Sequence, residues 1–261
     1  MIALGWASHA TGAIWLARAK PTCVLQTVDV DLMSEPAGTM DTSHAPAPEK
    51  EVRVTTALQA AAWVPDNDPT RPWSEAAELA ADWVWQRSKI EGKSPLLVTN
   101  TFQNARGMGA LEEIAKSGGQ ATPQGKKRFS HGPVLAYVPV ERTLELALDL
   151  ARGYSLVVVE TDVFPLSEWA AAVGAVNLLD GSTSASALDA DVSEALDRAI
   201  FFGGNNGWTG SHEKRHARTV LSDLAVAGRI DADAAASYAM AHDVSDKGAR
   251  RLRTLIESLG R

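Results

Sequence analysis

Short apolar runs alternate with helical stripes through the middle of the chain. Residues 134–138 lie between Pro133 and Pro139, and residues 156–159 are rich in β-branched side chains. Runs of this length without polar alternation predict strands buried on both faces of a parallel sheet. Between them Leu144, Ala147, Leu148 and Ala151 recur at helical spacing. Leu146 and Leu150 widen that stripe, so the helix is expected to be covered on more than one side. Gly153 stands where a left-handed helix cap is usual. Strand, crossover helix and parallel strand make one right-handed βαβ unit. Residues 95–98 and 175–179 supply two further strands, giving four candidates.

Helices are expected over residues 74–90, 109–116 and 165–173, and nearly everything after residue 187 reads helical. In the first, Ser74 is the expected cap, Gly92 the stop, and Ala76, Ala80, Trp83, Arg87 and Ile90 share a face. Trp83 and Trp85 read as packing anchors. Residues 1–33 read as β-rich, with strands at 13–16 and 23–30. Residues 34–52 are rich in Pro, Ala and charge and read as a mobile loop. The pattern predicts an α/β fold with a mostly parallel sheet of about four or more strands flanked by helices. The expected organisation is a β-rich start (1–33), a loop (34–52), an α/β domain (53–186) and an all-helical subdomain (187–261).

Composition narrows the class. Hydrophobic residues make up 45% and charged residues 22%, as in globular domains. The lone Cys23 excludes an intrachain disulfide and a cysteine zinc cluster, and is read as a small buried apolar residue. No apolar run approaches the ~18 residues of a membrane span, so a cytoplasmic protein is expected. The net charge of −7 is uneven: residues 1–211 carry 16 basic and 25 acidic residues, residues 212–261 carry 9 and 7. An acidic body disfavours broad nucleic-acid binding, whereas the C-terminal end tolerates it.

Ligands of open α/β sheets bind beyond the carboxyl ends of the strands. That rule makes Glu160 and Asp162 candidate catalytic residues, able to hold Mg²⁺ or act as acid and base. Asn100, Gln103, Asn104 and Arg106 follow another strand and are expected at the same rim as ligand-binding groups. The sequence names no cofactor. Residues 157–163 (VVVETDV) resemble the strand ending in Thr-Asp in the second motor domain of helicases. That likeness covers one strand, and without an ATP-binding P-loop it implies no helicase activity.

Three other stretches carry candidate chemistry. His212-Glu213-Lys214-Arg215-His216 matches the H-E-x-x-H spacing and is similar to zincin metalloproteases over five residues. Two charged intervening residues and no third ligand at an evident spacing favour a solvated helix start capped by Ser211. The glycine-rich residues 203–210 offer a phosphate cradle or a flexible turn. The basic triplet Lys126-Lys127-Arg128 reads as a solvated loop or a phosphate contact. Finally, Ala239, Val244, Ser245, Ala249 and Leu252 follow helix-turn-helix spacing, with Asp243 where a glycine is usual. The second helix is expected to bury Ala249, Leu252, Ile256 and Leu259. It would turn Lys247, Arg250 and Arg251 outward toward nucleic acid, with Arg253 nearby.

Three functions are therefore expected in turn. The first is a nucleic-acid-associated accessory or regulatory protein with a ligand- or partner-sensing α/β body. The second is a small-molecule or nucleotide-processing enzyme at the sheet edge. The third is a non-catalytic subunit that binds a protein partner.

Overall fold

The apolar runs become the centre of a six-stranded, all-parallel sheet in the order β3-β2-β4-β5-β1-β6. A computed structural model describes residues 58–125 and 129–260. The expectations for Cys23, the strands at 13–16 and 23–30, the loop at 34–52 and the triplet 126–128 lie outside the described residues. The strands are β1 Ala61–Val64, β2 Leu96–Thr99, β3 Gln120–Ala121, β4 Val134–Tyr137, β5 Leu156–Val159 and β6 Val176–Asn177. Every residue of β1, β2, β4 and β5 is buried, as interior parallel strands covered on both faces require. The edge strands β3 and β6 have only two residues each, which leaves little unpaired backbone at the margins.

The helices are α1 Trp73–Glu91, α2 Gly109–Ser117, α3 Glu141–Leu150, α4 Ser167–Ala172, α5 Ala190–Gly203, α6 Ser211–Val226, α7 Ala232–Ala241 and α8 Asp246–Leu259. Alternate strand residues face opposite helices. Leu97, Leu135, Val157 and Val159 pack with Ala77, Ala80, Val84, Leu111 and Ile114 of α1 and α2. Leu96, Val134, Ala136 and Val158 pack with Leu144, Ala147, Trp169 and Ala170 of α3 and α4. The α1 face differs from the expected one. Its buried stripe is Ala76, Ala77, Ala80, Ala81 and Val84, while Ile90 is exposed. Its N-cap is Pro72 rather than Ser74, and Gly92 closes it at φ 66°.

The helices after residue 187 have a core of their own, built from Val192, Leu196, Ile200, Leu221, Leu252 and Ile256. That core does not stand apart. Ala236, Met240 and Ala241 of α7 and Ala249 of α8 belong to the cluster formed by one face of the sheet. The described residues accordingly form one compact unit. No described helix is long and apolar enough to cross a membrane.

Candidate functional site

The parallel order places the ends of β2, β4 and β5 on one rim. From β2 the chain leaves through α2 toward β3; from β4 it leaves through α3 the other way, toward β5. The cleft between β2 and β4 is thus the switch point where open α/β sheets bind ligands. Here Asn100 fills it. Its amide donates to the Val138 carbonyl (2.7 Å), and its oxygen accepts from the Val140 N–H (3.3 Å) and the Thr143 hydroxyl. These contacts hold Val138 at φ 44°, a left-handed conformation rarely adopted by a β-branched residue.

The other rim residues do not converge on Asn100. Asn104 turns back to cap Thr101, accepting from its N–H at 2.9 Å and its hydroxyl at 2.7 Å. Gln103 and Arg106 are exposed on the following turn. β5 stops at Val159, so Glu160 and Asp162 do not share a strand face. Glu160 is buried and accepts from the backbone N–H groups of Asp66 (2.9 Å) and Leu166. Burial raises its pKa above the usual range, while those two N–H groups oppose the rise. Asp162 is exposed, and its N–H donates to Asp66 at 3.0 Å. The crevice beside Glu160 has a volume of about 10 Å³, about enough for one water. Since β4 separates β2 from β5, Asn100 and Glu160 stand about 10 Å apart across the sheet.

Positive side chains do converge elsewhere. A groove of about 590 Å³ runs between α6 and α8, lined by Lys214, Arg218, Lys247, Arg250, Arg251 and Trp208, with Thr254, Leu255 and Ser258 along its far end. No acidic side chain lines it. Lys247, Arg250, Arg251, Thr254 and Ser258 are exposed along one side of α8, at the spacing that puts residues on one helical face. The opposite side buries Ala249, Leu252 and Ile256, with Leu259 partly covered. Lys214 and Arg218 were not anticipated as site residues. Their i,i+4 spacing was visible, but the sequence did not show that α6 lies alongside α8.

The α6/α8 spacing depends on the loop before α6. Gly207, at φ 62°, lies so close to α8 that a Cβ on it would sit 3.0 Å from the Gly248 Cα. Arg251 donates to the Gly207 carbonyl at 3.1 Å. The glycine-rich loop therefore packs against α8, and its following helix starts at Ser211 with Gly210 as N-cap. In the H-E-x-x-H stretch, Glu213 accepts from the Asn206 amide (2.9 Å) and the His216 ring packs on Phe202 at 4.1 Å. Among the described residues no group of three His, Cys, Asp or Glu is placed to hold a metal ion.

Of the α8 cations, Arg250 is ion-paired with Asp246 at 2.7 Å within the helix, and Arg253 reaches back to the body. Its guanidinium lies 2.7 Å from Glu141 of α3 and 2.6 Å from Asp233 of α7, over the Phe164 ring at 5.6 Å. It ties α8 to the body. Arg253→Ala is expected to cost about 3 kcal/mol in denaturant unfolding, because it strands a largely buried carboxylate.

A second tie is pH-sensitive. Glu145 of α3 faces Asp246, the first residue of α8. Burial first, and then the Asp246 charge, raise the Glu145 pKa, with the Asp246 N–H and then Lys247 opposing. A raised folded pKa means that stability is full below the ordinary value of 4.5 and is lost as pH rises through the folded value. Glu145→Gln should therefore unfold at higher urea than the parent at about pH 7, and at the same urea at about pH 4.

The chain matches no protein-family model, no curated protein and no solved structure.

Proposed function

We propose that this is a nucleic-acid-associated accessory or regulatory protein that grips the phosphate backbone with the α6/α8 groove. The carrying observation is the convergence of Lys214, Arg218, Lys247 and Arg251 on one groove, beside Arg250, which is ion-paired with Asp246 at 2.7 Å, in a chain of net charge −7. The net negative charge disfavours broad binding of a polyanion, which favours a local patch of this kind. The helical pair gives α8 a reading role. Ala239 and Val244 are buried, Asp243 takes φ 61° where a glycine is usual, and Ser245 caps α8 by accepting from the Gly248 N–H at 3.2 Å. Asp is among the residues that tolerate that conformation. These features support a helix-turn-helix reading, with Lys247, Arg250 and Arg251 on the face that would enter a major groove. The α/β body, joined to α8 through Arg253, acts as the sensing part.

The carboxylate-enzyme reading has weaker support, since Glu160 is engaged by two backbone N–H groups beside a crevice of about one water's volume. Fluorescence anisotropy with a labelled duplex, titrated with salt, tests the proposal. About four neutralised phosphates predict a slope of log K against log salt of about −3.6. An affinity that does not change with salt would exclude the groove as the contact.

A further inference from the structure

Arg250 differs from the other cations of the groove. Its Nη2 lies 2.7 Å from the carboxylate of Asp246, one turn earlier in α8. Lys214, Arg218, Lys247 and Arg251 make no ion pair among the described residues. Asp246 has little room to swing. Its side chain is 7% exposed, and its N–H donates to Glu145 of α3. The guanidinium held by it is therefore aimed, and at 49% exposed it keeps further N–H donors toward solvent.

Position separates Arg250 from the trough of the groove. It lines the basic groove and also a neighbouring hollow of about 590 Å³ on the α3 side, so it stands on the ridge between the two. That hollow carries Arg142 and Lys247, but also Glu145 and Asp246. Its mixed signs give a phosphate little attraction on this flank. A phosphate contact needs only a charge, and a cation already paired with a carboxylate has little to gain by releasing counterions. A base-edge contact needs direction instead. Arg250 has that direction, and it pays less conformational entropy on binding because its rotamer is already held.

From this arrangement we infer that Arg250 reads a guanine in the major groove, with Asp246 as the residue that positions it. The inference rests on the duplex-binding reading of the groove. Guanine fits because its major-groove edge offers O6 and N7, both acceptors, to a forked donor. Recognition helices contact bases with their N-terminal residues, and Arg250 lies in the N-terminal half of α8. Lys214, Arg218, Lys247 and Arg251 then hold phosphates on either side of the contact.

Selection from a randomised duplex pool by the full chain, followed by anisotropy on the enriched duplexes across a salt series, tests this. The parent is expected to enrich guanine at one position. Arg250→Gln should lose about tenfold in preference for guanine there, with the salt slope unchanged. Asp246→Asn should also lose that preference, yet steepen the slope by about 1, because the freed cation can follow a phosphate. A carboxylate that served only to cap and stabilise α8 would not move the slope. Should circular dichroism show Asp246→Asn to be unfolded, Arg250→Gln still decides, since Arg250 is half exposed. A uniform loss of affinity in Arg250→Gln, with the slope reduced by about 1, would mark a phosphate contact and overturn the inference. Salt-dependent binding by the parent without guanine enrichment would overturn it and leave the groove reading standing. No duplex binding would overturn both.

Discussion

Asn100→Ala is expected to lower the unfolding free energy by about 2–4 kcal/mol, with a fall in melting temperature of roughly 5–10 °C. The amide of Asn100 is the partner of the Val138 carbonyl, the Val140 N–H and the Thr143 hydroxyl. Alanine removes all three contacts and leaves partly buried backbone groups without a protein partner. It also releases Val138, held at φ 44°, whose strain is of order 1–3 kcal/mol when nothing compensates it. Asn100→Asp separates the roles. It keeps the acceptor for Val140 and Thr143 but sets a carboxylate against the Val138 carbonyl, so it should destabilise at neutral pH and recover in acid. Chemical unfolding at two pH values reads both outcomes. An alanine variant as stable as the parent would show that the switch-point cleft is not held by this side chain.

Reversing two groove charges together, Lys247→Glu with Arg251→Glu, should weaken duplex binding on the order of 10–100-fold near physiological salt. The salt slope should fall by about 2, one for each lost phosphate contact. The α6 residues give an independent check. Lys214→Glu with Arg218→Glu lies outside the turn and α8, yet should produce the same pattern, because those cations line the same groove. Arg253→Ala should leave affinity nearly unchanged despite its stability cost, since its guanidinium lies against Glu141 and Asp233. Anisotropy on variants with unchanged circular dichroism distinguishes these cases. If the α6 pair has no effect while the α8 pair does, the contact is a helix face rather than a groove.

The four strands anticipated from residues 95–98, 134–138, 156–159 and 175–179 were legible because leucine and β-branched runs have few alternatives in a buried α/β core. β1 was not legible. Its sequence AAWV is half alanine, a weak strand former, and it is recruited only because β5 and β6 offer their backbone on either side. β3 pairs two residues, one of them Gln120, and is too short for any periodicity. At the rim the residue types were readable but their roles were not. Glu160 is turned inward by N–H groups from Asp66 and Leu166, and the Asp66 contact spans 94 positions of sequence. Arg253 was readable in principle: two positions beyond Arg251 is about 200° around a helix, away from the basic face. The separation at residue 187 rested on a small-residue stretch, and a break in composition says nothing of the α7 and α8 side chains that join the sheet core.

Gly207 and Gly248 meet backbone to backbone, with no side chain between them to bend or swing. The gap between α6 and α8 is thereby gauged by covalent geometry, as the jaws of a fixed wrench are. At that point backbone, not side chain, sets the spacing. A single added methyl at Gly248 would meet both Val244 and Gly207, prise the jaws apart and change which polymers fit, with every charge still in place.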